Sequence, residues 1–333
     1  MSAETASTYA LPVLTPAFGV ASASTVLGAI RYAGRHREPH DDAGYPELTV
    51  QLVRDDADAF TEVWHTSGEV ERGSRDGVVY AHDGEHFFAA GHVREARGYT
   101  DAIATAYLTA LDLARSHGYH RMFRVWNYLH RINGRNAEGL EIYRDFCLGR
   151  AIAFDRAGLG AGDLPAATGV GSLGGGIAFC FLATRSGHSL NIENTRQVPA
   201  YRYPRRYGPR PPGFARATWL SDSGHIYVSG TASIVGHRTV HPGRVDRQCR
   251  EALANIAHVI GAENLAAHGL TDGRTPRDLR NVKVYVREHA DLAQVREICA
   301  EALAPDCAVA YFTTDICRSD LLVEIEGIAM TPA

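Results

Sequence analysis

Two fourteen-residue stretches, YAHDGEHFFAAGHV (80–93) and WLSDSGHIYVSGTA (219–232), align without a gap. Asp83 falls on Asp222, His86 on His225 and Gly91 on Gly230. Each reads as an aromatic-led strand, a turn of Asp, Gly and Ser, and a second strand, which is a β-hairpin pattern. The segments behind them also match in order. After the second hairpin, Cys249, Leu253, Ile256 and Ile260 recur at helical spacing. LRNVKVYV (279–286) alternates as a strand, and a helix is predicted over 292–303. CAVAYFT (307–313) and LLVEIEGIA (321–329) close the unit as strands. The first half predicts a helix near 100–116, a strand at 121–129, a helix near 137–148 and a strand at 176–185. A repeat of this kind implies an α+β chain of two tandem units, each a mixed sheet with helices packed on one face. Residues 1–78 read as an N-terminal extension, 79–190 as a degenerate first unit, 191–214 as a connector and 215–333 as the second unit.

Composition narrows the class. With 333 residues, 45% of them hydrophobic, and a formal net charge of -4, nothing points to nucleic acid or membrane as a partner. No apolar run approaches a bilayer span, and MSAETASTYALPVLTP (1–16) lacks the basic start of a signal peptide. Six cysteines are scattered with no CxxC pair, which suits reduced thiols in a cytoplasmic protein. No metal or cofactor is expected. GVGSLG (169–174) fits the dinucleotide-loop spacing but runs into a strand, so it reads as a glycine-rich hairpin after a helical segment. His36 and His40 flank Pro39, which breaks the helix that would align them as ligands, and read as a surface loop.

The closing strand poses the functional question. Side chains on a strand alternate, so Glu324 and Glu326 share one face with Ile328 and Met330. Unpaired carboxylates are costly to bury. The connector supplies the opposite charge: Arg196, Arg202, Arg205, Arg206, Arg210 and Arg216 alternate with Tyr201, Tyr203 and Tyr207 among prolines. It reads as a solvated linker, an anion-binding wall of guanidinium forks, or a stacking surface for single-stranded nucleic acid.

HIYVSGTA (225–232) and VEIEGIA (323–329), with the elements between them, resemble the YjgF/RidA superfamily, whose closing strand places its first glutamate in a ligand cleft between neighbouring barrels. The superfamily's deaminases hold the substrate carboxylate with an arginine on the preceding strand, and CAVAYFT carries none. FRVWNYLHRIN (123–133), ENTRQVPAYRYPRRYGP (193–209), FARA (214–217) and ICRSDLLVEIEG (316–327) together resemble the chorismatase family, over roughly 80–330. That resemblance implies an enzyme that removes pyruvate from chorismate in secondary metabolism. Its reaction begins with protonation of the enol-ether methylene, and Glu324 would be the acid, its pKa raised by apolar neighbours. Glu326 is expected to be structural and paired with a connector arginine. Tyr201, Arg205, Arg216 and Asn127 would bind the substrate. Cys317, as a catalytic proton relay, and Gly230, as a close substrate contact, match the pocket of the type that forms 3-hydroxybenzoate, against a hydrolytic type that releases a cyclohexadiene diol acid. A non-catalytic metabolite- or RNA-binding relative is the reading from another class. The resemblance implies a monomer or a trimer-like assembly.

Overall fold

The computed structural model describes residues 11–19, 22–56, 59–186 and 188–330. Most of the N-terminal stretch from which the absence of a leader is read (1–10) lies outside them. The chain begins with β1 (Leu14–Phe18), β2 (Val26–Ala33), β3 (Arg37–His40), β4 (Glu47–Gln51) and β5 (Ala59–Thr66). Then come β6 (Glu71–Arg75), β7 (Val78–His82), β8 (His86–Val93), α1 (Thr100–Ser116), β9 (Arg121–His130), α2 (Ile142–Arg156), β10 (Ala166–Ser172) and β11 (Ile177–Thr184). The last part holds β12 (Ser189–Ile192), β13 (Ala217–Leu220), β14 (Ile226–Ala232), the small hairpin β15 (Ile234–Val235) and β16 (Arg238–Thr239), and α3 (Val245–Val259). It ends with α4 (Ala262–Ala266), β17 (Leu279–Val286), α5 (Leu292–Ala302), β18 (Val309–Thr313) and β19 (Val323–Ala329).

The two tandem units of the expected α+β architecture are present. One sheet runs β10-β9-β11-β8-β7-β6 and the other β18-β17-β19-β14-β13-β12, with the same strand directions in both. Helices cover one face of each. Ile103, Tyr107, Ala110, Leu111 and Ala114 form the buried stripe of α1. Asp145 of α2 caps that helix by accepting the backbone N–H groups of Tyr99 (2.7 Å) and Thr100 (3.0 Å).

Several features depart from the sequence reading. The extension contains a third sheet, β1-β5-β2-β4-β3, and the edge strand β6 belongs to the first unit's sheet. The helix expected near 137–148 starts at Ile142. Asn136 accepts the N–H groups of Glu138 and Leu140 and folds that stretch into a turn through Gly139, at φ +86°. The first glycines of GVGSLG lie inside β10, which runs parallel to β9, and only the residues after Ser172 make the turn. Gly171 is needed there because a side chain would meet Asp315, whose carbonyl accepts the Gly171 N–H at 2.7 Å. The segment ahead of β10 has only a short 3₁₀ turn, and His40 lies on the edge strand β3, not in a loop.

The uncovered faces of all three sheets meet in one inner core. Register relates them. Tyr32, Tyr128 and Tyr285 occupy equivalent places on β2, β9 and β17, opposite Phe60, Ala178 and Glu324 on the neighbouring antiparallel strand. Their parallel partners are Val50, Val170 and Phe312. The aligned turn residues are used too. His86 binds Asp83 (3.2 Å) and Asp222 (3.1 Å), and although burial opposes the charge, these bonds raise its pKa to about 9. No helix among the described residues is long and apolar enough to cross a membrane.

At the centre of the inner core lies a buried ion cluster. Glu326 Oε2 accepts bonds from Arg124, Thr168 and Trp126 Nε1 (3.0 Å), while its Oε1 accepts from Tyr285 (2.6 Å) and Lys283 (3.0 Å). Lys283 also pairs with Glu62 of β5. Glu326 is therefore paired with β9 and β17, not with a connector arginine. Removing one partner of such a cluster leaves a buried charge uncompensated. Lys283→Met should destabilise the chain by about 3–5 kcal/mol in urea melts. Adding Glu62→Gln should recover part of that loss, and a double variant weaker than Lys283→Met alone would contradict the charge accounting.

Candidate active site

A cavity of about 400 Å³ opens between the two tandem units, walled by α2, β10, the connector, β14 and the approach to β19. Of the residues singled out in the sequence, Glu324, Cys317, Arg216 and Gly230 lie in its wall. Three do not. Arg205 is exposed on the 3₁₀ turn Arg205–Tyr207, and its neighbours Arg206 and Tyr207 reach the cavity instead. Tyr201 lines a separate hollow of about 210 Å³. Asn127 is buried behind β10, accepting from Tyr107 and donating to Thr168 O at 3.0 Å. A side chain so engaged ties α1 to β10 and is not free to bind a ligand.

The sequence reading missed Tyr143, Arg144 and Arg150 of α2, Thr168 of β10, and Arg318. Tyr143, Phe146, Cys147 and Arg150 share one helical face, so a guanidinium at the end of an otherwise apolar stripe was the available signal. Placing the helix five residues early hid it. Arg150 is 4% exposed and stacks on Phe146 (4.9 Å) and Phe154 (5.7 Å).

The remaining arginines are held as firmly. Arg216 donates to Val198 O (2.9 Å) and Tyr203 Oη (2.8 Å), and its Nε is buried with no protein hydrogen-bond partner. Arg318 lies over the Tyr207 ring at 4.2 Å and donates to His237 O at 3.0 Å. Five arginines thus face a cavity whose other acids, besides Glu324, are Glu141 and Asp320. Glu141 is paired with Arg144 at 3.2 Å and Asp320 accepts from Thr239 at 3.0 Å. The wall is complementary to a small ligand with more than one carboxylate.

Glu324 is 3% exposed and makes no hydrogen bond or ion pair among the described residues. Burial pushes its pKa up to about 8, against the opposing pull of Arg124 and Arg216. It is therefore a neutral carboxylic acid at pH 7. Gly230 makes room for it, since a Cβ there would collide with Glu324 Oε1. Burial raises the Cys317 thiol pKa as well, so it stays protonated as a weak donor and acceptor.

The N-terminal chorismatase family model, "Chorismatase FkbO/Hyg5-like, N-terminal", matches residues 62–183. A "3-hydroxybenzoate synthase" of Streptomyces hygroscopicus is 54% identical over 92% of this chain and 92% of its own length. The chain belongs to the chorismatase family. A "Chorismatase" of Streptomyces rapamycinicus is 48% identical over 91% of this chain and 92% of its own. A chorismatase crystal structure superimposes with a TM-score of 0.91 at 46% identity, covering 96% of this chain and 98% of that one. Within that family fold, the neutral Glu324 carries a linkage consequence. The folded chain holds a proton that the unfolded chain, with a glutamate near 4.5, releases. Its contribution to stability therefore falls as pH rises from about 4.5 to about 8. Glu324→Gln removes that loss. The melting temperature of the variant should gain on the parent between pH 5 and roughly pH 9, and parallel curves would contradict a buried neutral acid.

Proposed function

We propose that this chain converts chorismate to 3-hydroxybenzoate and pyruvate, with Glu324 as general acid. The observation that carries the reading is a neutral carboxyl group buried in the wall of a cavity that five arginines also face. Its support from relatives is the 54% identity to a 3-hydroxybenzoate synthase. Chorismate has two carboxylates and an enol ether whose terminal methylene must take a proton before the pyruvyl group leaves. An ordinary glutamate is ionised at neutral pH and makes a poor donor to carbon, whereas one near pH 8 is poised for it.

The steps balance without water or cofactor. Glu324 protonates the methylene carbon. The bond between ring carbon and ether oxygen breaks, and its electron pair goes to the oxygen that becomes the pyruvate carbonyl. The neighbouring ring hydroxyl attacks that ring carbon and gives its proton back to the Glu324 carboxylate. The resulting arene-oxide-like ring opens on protonation of its oxygen and loses the ring C–H proton to become aromatic. The two products together have the composition of the substrate. Arg216 and Arg318 are read as carboxylate holders, and Cys317 as a wall group near the departing oxygen. The free thiols favour a cytoplasmic setting.

The assay is chorismate turnover followed by chromatography of the aromatic products and pyruvate. Equimolar 3-hydroxybenzoate and pyruvate are expected. The diol acid as main product would place the chain in the hydrolytic type, and no turnover would reject the enzyme reading. Glu324→Gln should retain chorismate binding and lose about 10²–10⁴-fold in kcat. Arg216→Ala should weaken binding by about 1.5–3 kcal/mol, seen mainly in KM. Arg205→Ala should leave both constants unchanged. Cys317→Ala should move part of the product to the diol acid with pyruvate release retained.

A further inference from the structure

The acid does not sit on a regular strand pair. Pairing of β14 with β19 breaks between Val228 and Thr231, so Ser229 and Gly230 form a bulge opposite Glu326, while Glu324 pairs with Ala232 just beyond it. β10 of the first unit is stitched to this irregular stretch and to β13 by side chains. The N–H of Ala166 donates to Thr218 Oγ1 (2.9 Å) and that of Ala167 to Ser229 Oγ (2.9 Å). The third stitch is Thr168. Its hydroxyl accepts from the Gly230 N–H (3.0 Å) and from Arg124 Nη2 (2.6 Å), and donates to Glu326 Oε2.

A hydroxyl has one proton and two lone pairs, and here all three are engaged. The Glu324 carboxyl lies against Gly230 so closely that no side chain fits between them, and the Thr168 methyl flanks the same point. The position of the bulge therefore fixes where the acid can lie. Alanine in place of Gly230 would change the seat itself, but Thr168 holds it from outside.

We propose that Thr168 is a positioning residue, whose hydroxyl pins the Gly230 bulge and keeps Arg124 and Glu326 engaged with each other so that the Glu324 carboxyl stays placed for proton delivery. This rests on Glu324 being the acid. Arg124 of β9, Tyr143 of α2, Arg216, Tyr285 of β17 and Cys317 all interact electrostatically with Glu324. Glu326 is the remaining charge on its own strand face. Of these, Arg124 loses an acceptor when the Thr168 hydroxyl goes, and a guanidinium turning towards Glu324 favours its ionised form.

The test compares Thr168→Val, which keeps the shape and removes the hydroxyl, with Thr168→Ser, which keeps the hydroxyl. Glu324→Gln is measured beside them. Thr168→Val should lower kcat by about 10–100-fold with KM changed by less than about threefold. The alkaline limb of its kcat profile should move to lower pH, while Thr168→Ser stays close to the parent in both. A folded Thr168→Val with parental kcat and an unmoved limb would overturn the proposal. So would a Thr168→Ser that loses both, or a Thr168→Val that fails to fold, because the hydroxyl would then be a structural bond only. Full activity in Glu324→Gln would instead remove the acid assignment on which the inference stands.

Discussion

Two carboxyl groups two residues apart on one strand face are buried by opposite means, and the rest of the chain is arranged around that difference. Glu326 keeps its charge because Arg124, Lys283, Trp126, Tyr285 and Thr168 surround it with donors. Glu324 has no such set and is held neutral by desolvation, with a pKa near 8. The stabilised anion closes the inner core, and the neutral acid faces the cavity. An acid at the second position with the partners of the first would be an anion and no proton donor.

The three-sheet arrangement accounts for there being one such acid in the inner core. At the place of Glu324 the other two sheets carry Phe60 and Ala178, and at the place of Glu326 they carry Glu62 and Cys180. Equivalent backbone thus serves three ends. In the N-terminal sheet it supplies an apolar plug and a counter-ion for Lys283. In the first unit it is wholly packing. Only the last sheet combines the acid with a glycine bulge and an arginine-bearing connector. The N-terminal sheet, with no α-helix of its own among the described residues, covers the inner faces of the other two and keeps the ion cluster dry, which is the condition for strong buried pairing.

Much of this was legible in the sequence because it is periodic. The hairpin repeat, α1, β9, α3 and the closing strand all follow from spacing, and the shared face of Glu324, Glu326 and Ile328 follows from alternation alone. What escaped was decided by tertiary contact. Gly171 of β10 is required because Thr314 and Asp315 lie against it, which local propensity does not encode. Among the described residues, the N-terminal sheet lacks the α-helices that mark the other units. In the connector, the arginines alternate with tyrosines and prolines, and only the fold decides that Arg206 and Arg216 face inward while Arg205 faces water. Asn127 looked available for binding because its partners, Tyr107 and Thr168, lie 20 and 41 residues away.

The central claim is that Glu324 carries a proton at pH 7 in the resting protein. Infrared difference spectra of the parent minus Glu324→Gln, recorded across pH in heavy water, read that group directly. A carboxylic C=O band present at pH 7 and lost with a midpoint near 8 is the expected result. A carboxylate signal already fully developed at pH 7 would contradict it, and with it the assignment of Glu324 as the acid.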